Sequence, residues 1–424
     1  MTFRHRILLD RLLAVPLCFA CDLAARLLGK ILRRDHSLSP AGTREIVVGK
    51  LVGMGSILQA TPLLRALKKQ FPEARLTFLT LESNRGLVSR LEHVDELLCL
   101  DDRRPGIFFL TTLRALVQII RRRPDHYFDL EVYSGFTSLL SLFSLARNRL
   151  GFCRHSSRFK RGLFTHLVYF NTRMAVRRLY LQLGCVAGVP VDAPEQLGGI
   201  RIEPAEREAV REKLARLGLP PGRPFVLVNP NASDLLVERR WPEAHVVGAV
   251  TQLVRAGQSV VLMGGPSETA HVQTIVAQLP AETQGRVFNV AGQLSLGEAF
   301  ALIEAAACVL TNDTGPMHMA FALERPTVCL FGPVDPAHYG MTAANIVTLS
   351  APVPCSPCVH EIDVPPCHGN NVCMQRLQPE FVVSHVLALL ERRSAGSSPR
   401  LPLVWQAENG PPLGLVQRHL SQET

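Results

Sequence analysis

A short polar break in the second half of the chain offers groups that could bind an anionic ligand. The apolar run that ends at Leu310 predicts a buried strand, and a helical pattern begins at Met317. Between them, Asp313 can accept a hydrogen bond from a ligand hydroxyl, Thr314 can donate one, and Gly315 allows a ligand to approach the backbone closely. These residue types fit the binding of a phosphorylated, hydroxyl-bearing ligand.

The position of this break strengthens that interpretation. In an open α/β sheet, a turn between a strand and a helix lies at the carboxyl end of the strand, where ligands bind. The helix that follows directs free N–H groups and the positive end of its dipole toward that point, which favours phosphate. The alternative is that Asp313 and Thr314 only cap the helix.

A second turn of this kind occurs early in the chain. The apolar run Glu45–Leu51 predicts the first buried strand, and a glycine-containing turn with Gly53, Gly55 and Ser56 follows it. A helix is predicted from Ile57 to Phe71, and it includes Thr61.

The elements around the two turns predict the fold class. Strand, glycine turn and helix alternate twice, once in each half of the chain, which predicts an α/β protein with two doubly wound, Rossmann-like domains that face a cleft. The predicted segments are an amphipathic helix at 1–36, an N-terminal domain at 44–205, a C-terminal domain at 222–392 and a disordered tail at 393–424.

Composition limits the function further. The chain has 424 residues, an apolar fraction of 47% and a formal charge of +10, and its basic residues concentrate near the N-terminus and between 121 and 178. No motif typical of nucleic-acid binding accompanies this charge, so we expect no nucleic-acid partner. Anionic lipid head groups or a phosphorylated acceptor fit the location of the charge better.

The first 36 residues combine many leucines with scattered basic residues. The longest uncharged run, Leu12–Cys21, is far shorter than the about 20 residues that span a bilayer. The pattern predicts an amphipathic helix in the membrane interface, and the alternative is a helix packed on the protein itself. No cleavable signal peptide is evident, so we expect a cytoplasmic protein peripheral to the inner face of the cytoplasmic membrane.

Four cysteines lie close together near the end of the second domain: Cys355, Cys358, Cys367 and Cys373. Four thiolates suit a structural zinc or iron–sulfur centre, but the second pair is spaced x5 rather than x2. The alternative is a set of free or paired thiols that stabilise a loop.

The order of these motifs resembles glycosyltransferase family 9, the heptosyltransferase family, which has the two-domain GT-B architecture. The resemblance covers roughly residues 45 to 390, and the segments that carry it are 53–67, 239–242, 264–266, 311–318 and 331–336. It implies an inverting transfer of a heptose-like sugar from a nucleotide-diphosphate donor such as ADP-heptose to a lipopolysaccharide-core or related glycan acceptor. It also implies that no metal cofactor is required.

The same resemblance implies a role for individual residues. The acceptor would bind near the first glycine turn, with Gly53, Gly55 and Thr61. The residues that the resemblance places at the donor are Asn229, Ser233, Arg239, Gly264, Glu268, Asp313, Thr314, Gly315 and His318. Arg239 stands where the family commonly has a lysine, and a guanidinium can grip a phosphate at two points. By residue type alone, His318 could equally be a buried core group.

One position departs from the family pattern. Family members carry an aspartate, the presumed general base, where this chain has Ser56, and a serine at its normal pKa is no base near neutral pH. Three explanations stay open. Another carboxylate could act as the base, and the sequence favours Glu131 over Glu82. Alternatively, the acceptor proton could pass to the departing diphosphate, or the acceptor could be acidic enough to lose it unaided. Finally, the chain could be a non-catalytic sugar-nucleotide-binding or scaffold protein. Glu131 could also form only a salt bridge.

Overall fold

The computed structural model describes residues 10–32, 35–38, 42–232, 236–359, 361–362, 365, 367–395, 404–407 and 415–417. The chain divides into two compact units, 1–201 and 202–424. The division falls four residues before the end of the predicted N-terminal domain at residue 205. The helix that begins at Pro204 belongs to the second unit, although the predicted N-terminal domain extends to residue 205.

The N-terminal unit is built from six strands and seven helices in its described part. The strands are β1 (Glu45–Gly49), β2 (Arg75–Leu81), β3 (Glu96–Leu100), β4 (His126–Asp129), β5 (Asn148–Cys153) and β6 (His166–Tyr169). The helices are α1 (Val15–Leu32), α2 (Met54–Gln59), α3 (Thr61–Gln70), α4 (Arg85–Val88), α5 (Pro105–Arg122), α6 (Gly135–Phe143) and α7 (Val176–Val186).

The six strands form one parallel sheet in the order β3-β2-β1-β4-β5-β6. The strand order reverses at β1, which places the glycine turn after β1 at the topological switch point, the usual ligand site of such sheets. Helices α5 and α6 pack on one face of the sheet through a shared apolar cluster that includes Leu79, Tyr127 and Ile119.

The C-terminal unit repeats this plan. Its strands are β7 (Phe225–Asn229), β8 (Ser259–Leu262), β9 (Val287–Asn289), β10 (Cys308–Asn312), β11 (Thr327–Phe331), β12 (Ile346–Ser350), β13 (Val404–Ala407) and β14 (Leu415–Gln417). Its helices are α8 (Pro204–Arg216), α9 (Glu243–Arg255), α10 (Thr269–Ala277), α11 (Leu296–Ala305), α12 (Gly315–Ala322), α13 (Pro336–Tyr339), α14 (Val372–Gln375) and α15 (Pro379–Ala395).

The second sheet has the order β14-β13-β12-β11-β10-β7-β8-β9 and is parallel except for the β13–β14 pair. The order reverses between β7 and β10, which pair so that Asn229 lies opposite Thr311. The carboxyl ends of these two strands therefore meet at the switch point, and the residues that follow them share one site. Both units are doubly wound α/β folds, as the sequence predicts.

Three local predictions differ from the structure. The predicted helix 57–71 is two helices, because α2 ends at Gln59 and Pro62 lies in the first turn of α3. The apolar run Phe128–Tyr133 predicts a strand that contains Glu131, but β4 ends at Asp129 and Glu131 lies in a loop. In the predicted tail, 404–407 and 415–417 form strands and α15 extends to Ala395; the other tail residues lie outside the described part.

The N-terminal segment packs on its own unit along one side. A π-helical turn, Asp10–Ala14, leads into α1, and Cys18 is buried against Leu139, Phe159 and Leu163. The opposite side is exposed and apolar over residues 12–24, with Leu13 65% and Leu23 64% exposed. The packed side agrees with the alternative of a helix packed on the protein itself, and the membrane contact of the exposed side stays a prediction. Within the described residues, no helix is long and apolar enough to cross a membrane.

Candidate functional site

A network of asparagine and threonine side chains joins the ends of β7 and β10. The amide of Asn229 donates to the hydroxyls of Thr311 at 3.0 Å and Thr314 at 2.9 Å. Asn312 donates from the other strand to the carbonyls of Pro230 and Asn231, at 3.0 and 3.1 Å. Because these groups are buried and hydrogen-bonded to one another, they fix the two turns in one arrangement. Sequence analysis identified Asn229 but missed Asn312, whose only signal is its place at a strand end.

Arg239 is held against the turn that contains Asp313. It donates to the Asp313 backbone carbonyl at 3.1 Å, and its guanidinium lies 3.6 Å from the Asp313 carboxylate. Asp313 is 3% exposed, whereas the Arg239 side chain is 26% exposed. Burial raises the pKa of Asp313 to about 6, although Arg239 opposes the rise. The pair thus presents a partly exposed guanidinium beside the start of α12.

The start of α12 has the properties of an anion site. The N-cap residue is Thr314, and no side chain forms a capping hydrogen bond. Asp313 therefore does not serve as the cap, in contrast to the alternative considered from sequence. Gly315 is half-buried and begins the helix, so its N–H and the helix dipole act at the same point as Arg239. A diphosphate would meet a cation, a backbone donor and the positive end of a helix there.

A loop that sequence analysis did not connect with the site positions Arg239. The buried amide of Asn371 donates to the carbonyls of Glu238 at 2.8 Å and Arg240 at 2.6 Å, on both sides of Arg239. The Trp241 indole donates to the Leu377 carbonyl at 2.9 Å. Asn371 has no sequence signature of its own, because its role depends on a contact more than 130 residues away.

Other predicted donor residues border this site. Gly264 packs so closely that a Cβ atom would come within 2.7 Å of the Asn231 amide, which itself bonds Asn229 at 3.1 Å. Glu268 accepts the Gly265 N–H at 2.7 Å, so its carboxylate stabilises the turn. Ser233 lies outside the described residues.

His318 is 4% exposed and lies between aromatic side chains. Its ring centroid is 6.1 Å from that of Phe321 and 6.3 Å from that of Tyr339. The histidine is thus a packed group one turn into α12, and its contact with a donor stays a prediction.

The glycine turn of the N-terminal unit places Ser56 beside a buried tyrosine. Gly53 has a φ of +90°, which favours glycine, and its carbonyl accepts the N–H of Ile57 at 3.1 Å. The Ser56 hydroxyl is hydrogen-bonded to Tyr180, and burial raises the pKa of that phenol. Gly55 lies within α2. Tyr180, which sequence analysis missed, is thus the side chain through which Ser56 is oriented.

Glu131, which sequence analysis favours as a general base, forms the salt bridge that was the alternative for it. Its carboxylate pairs with Lys50 at 2.9 Å and accepts the N–H groups of Leu51 and Val52, both at 2.9 Å. Burial alone raises the pKa of Glu131, but Lys50 and the two N–H donors outweigh it, and the net pKa lies below its usual value. A carboxylate engaged in this way is a poor base, and it stabilises the glycine turn instead.

The second carboxylate considered from sequence, Glu82, is also engaged. Arg85 donates to both of its oxygens, at 2.6 and 2.8 Å, and this hydrogen bonding lowers the pKa of Glu82. Thr61 is buried, donates to the Leu58 carbonyl at 2.8 Å and accepts the Gly198 N–H at 3.2 Å. Its hydroxyl joins two chain segments, and its contact with an acceptor stays a prediction.

A fully buried ion pair lies behind the same turn. Lys160 and Asp129 are both 0% exposed and 3.1 Å apart, and Lys160 also donates to the Glu131 carbonyl. Thr137 donates to the Asp129 carboxylate at 3.1 Å. Burial raises the pKa of Asp129, and the neighbouring ammonium opposes the rise. The loop that contains Glu131 is therefore held by two lysines from different segments, Lys50 and Lys160.

The four cysteines of the predicted cluster are free thiols. Burial raises the pKa of Cys373 to about 11, and the other three thiols add to the rise. Among the residues that the structure describes, no three His, Cys, Asp or Glu side chains are arranged to hold a metal ion. The loop packs on the turn after β11, where Cys358 donates its N–H to the Pro333 carbonyl at 2.9 Å.

A cavity of about 750 Å³ lies at the opposite edge of the second sheet. Residues 219–225, Gln258 and Ala307 line it, and they precede β7, β8 and β10. It shares no lining residue with the turn at 313–315. The carboxyl-edge site combines a cation, a helix start and a hydrogen-bonded side-chain network.

Two doubly wound α/β sheets, one with an arginine beside the turn at its switch point, define the class: a protein with two Rossmann-like units. The sequence profile of glycosyltransferase family 9 (heptosyltransferase) matches residues 136–368, which is more than half of the chain. The chain belongs to this family and is a glycosyltransferase.

Curated relatives agree with the family match. Lipopolysaccharide heptosyltransferase 2 of Salmonella typhimurium is 29% identical over 290 residues, 67% of this chain and 81% of the relative. Lipooligosaccharide heptosyltransferase 2 of Haemophilus influenzae is 32% identical over 148 residues, 35% of this chain and 42% of the relative.

Solved structures show the same fold. E. coli ADP-heptose LPS heptosyltransferase II matches with a TM-score of 0.66 and 23% identity, over 83% of this chain and 99% of its own. A glycosyltransferase family 9 protein from Veillonella parvula matches with a TM-score of 0.69 and 22% identity, over 84% and 100%. The predicted α/β fold of the GT-B type is confirmed.

Proposed function

We propose that this glycosyltransferase moves a heptose-like sugar from a nucleotide-diphosphate donor, ADP-heptose or a close analogue, to a lipopolysaccharide-core or related glycan acceptor. The observation that supports this most is the turn at 313–315 with Arg239 beside it, in a chain of the heptosyltransferase family. The names of the relatives supply the sugar and the acceptor class.

In this proposal the C-terminal unit binds the donor diphosphate. Arg239 and the Gly315 N–H contact phosphate oxygens, and Thr314 contributes its hydroxyl. These groups are fixed before the reaction, so they stabilise the negative charge that grows on the departing diphosphate. Positions 264, 268 and 318 border the rest of the donor.

The N-terminal unit contributes the acceptor side at Gly53, Gly55 and Ser56. Since Glu131 and Glu82 are both engaged in ion pairs, we assign the acceptor proton to the leaving group. The acceptor oxygen forms a bond to the anomeric carbon while the bond from that carbon to the diphosphate oxygen breaks, and the proton passes to the diphosphate. Direct displacement of this kind inverts the anomeric centre. No metal takes part in this scheme.

We further propose that the enzyme works at the inner face of the cytoplasmic membrane. The exposed face of α1 and the preceding turn is apolar, and it includes Leu12, Leu13, Leu17, Phe19 and Leu23. An apolar helix face of this type binds in the interface of a bilayer, where a glycolipid acceptor would be found.

The test is a transfer assay with purified protein. ADP-heptose and common UDP- and GDP-sugars are supplied with and without a truncated lipopolysaccharide acceptor, and release of nucleotide diphosphate is measured. We expect acceptor-dependent release of ADP. Tight donor binding without release for any donor–acceptor pair would instead support the non-catalytic alternative that Ser56 suggests.

A further inference from the structure

Helix α5 has an apolar face on the outside of the N-terminal unit. Its inner side, with Ala115 and Ile119, packs in the core of the unit. Its outer side presents Phe109, Leu113 and Val117, which follow one another at intervals of four residues, and Leu110 lies beside them. Phe109 is 66% exposed and Leu113 is 52% exposed. A surface helix normally directs polar residues outward, so a continuous apolar stripe of this kind indicates a binding surface.

The charge around the stripe is of one sign. Helix α5 contains no Asp or Glu. Arg104, Arg114 and Arg121 are exposed, and none of them forms an ion pair with a described residue. An apolar stripe bordered by unpaired arginines matches the interface of a bilayer with anionic lipids, where acyl chains lie beneath a layer of negative phosphates.

The stripe begins beside the N-terminal segment. Phe108 of α5 packs on Phe136 in the first turn of α6, with ring centroids 5.1 Å apart. In the same turn, the Asp10 carboxylate accepts the N–H groups of Gly135 and Phe136, both at 2.8 Å. The two exposed apolar faces therefore start at one place on the unit, on either side of the first turn of α6.

We propose that α5 is a second membrane-contact element, in which Phe109, Leu110 and Leu113 enter the interface of an anionic bilayer and the arginines contact lipid phosphates. The inference rests on the membrane association proposed above and extends it from one helix to a two-helix surface. Such a surface would hold the N-terminal unit at a fixed orientation to the bilayer, since two separate contacts restrict rotation.

The test is co-sedimentation of the full chain with vesicles of phosphatidylcholine, with and without phosphatidylglycerol. Phe109→Ser combined with Leu113→Ser is expected to lower the partition coefficient on anionic vesicles about tenfold or more, because two large apolar groups lose their contact with lipid. Val191→Ser is the matched control, since Val191 is 91% exposed in a loop of the same unit, and it should bind as the parent chain does. Arg114→Gln with Arg121→Gln should reduce the preference for anionic over neutral vesicles.

A further variant, Leu13→Ser with Leu17→Ser, separates this inference from the broader proposal. Loss of binding in both double variants supports the two-helix surface. Unchanged binding of the α5 variant, with binding lost in the N-terminal variant, overturns the role of α5 and leaves the membrane proposal intact. Absence of binding by the parent chain overturns both. A change from dimer to monomer in the α5 variant, at unchanged vesicle binding, would show that a second copy covers this face.

Discussion

Replacement of Arg239 is the sharpest perturbation of the proposed donor site. Arg239 is held by the Asp313 carbonyl at 3.1 Å, and its guanidinium lies beside the uncapped start of α12. A hydrogen bond between charged groups contributes about 1.5–3 kcal/mol. Since about 1.4 kcal/mol corresponds to a tenfold change in affinity, Arg239→Gln should weaken ADP binding by roughly 10- to 100-fold.

The assay is isothermal titration calorimetry of the purified protein with ADP. Arg223→Gln serves as the matched control, because Arg223 precedes β7 at the opposite edge of the same sheet and bonds the Ser259 hydroxyl at 3.1 Å. The control should bind ADP as the parent does. Equal ADP affinity of Arg239→Gln and the parent, with both folded by circular dichroism, would refute the assignment of the diphosphate to this turn.

Three further predictions follow from buried polar groups. Burial raises the pKa of Asp313 from 3.8 to about 6, so the folded protein binds this proton more tightly than the unfolded chain does. The resulting gain in folding stability is fully present below about pH 4 and is lost as the pH rises through about 6. Between about pH 4 and pH 7, the unfolding free energy of Asp313→Asn should therefore fall by up to about 3 kcal/mol less than that of the parent. The measurement is urea unfolding across this range, and parallel pH profiles of the variant and the parent would contradict the raised pKa. Asn371→Ala should weaken ADP binding severalfold, since two carbonyls beside Arg239 lose their donor, whereas an effect on stability alone would limit Asn371 to packing. Lys160→Met should destabilise the N-terminal unit by about 3–5 kcal/mol in urea unfolding, because Asp129 is left as an uncompensated buried charge; a loss well below this would show that Asp129 is protonated in the folded state.

The fold was predictable because its signals are local. Apolar runs, glycine turns and helical periodicity repeat in both halves, and the two parallel sheets follow from that rhythm. Predictions failed where a neighbouring strand or chain segment decides the outcome. The sequence around Glu131 does not show that β4 ends at Asp129 or that Lys50, 81 residues earlier, neutralises the carboxylate.

The candidate site was predictable in part for the same reason. Asp313, Thr314 and Gly315 follow a strand directly, so their place at a carboxyl edge is encoded in the local pattern. Asn371 contacts the segment around Arg239, and Tyr180 contacts the glycine turn, only through tertiary packing, and a single sequence has no local signal for such contacts. The exposed stripe on α5 was hidden because an apolar helix face normally predicts burial.

The central claim is that a donor diphosphate binds at the start of α12. A crystal structure of the protein with ADP tests it most directly. We expect phosphate oxygens within hydrogen-bonding distance of the Arg239 guanidinium and the Gly315 N–H. A diphosphate bound elsewhere, for example in the cavity lined by residues 219–225, with the turn at 313–315 making no contact to it, would contradict the account.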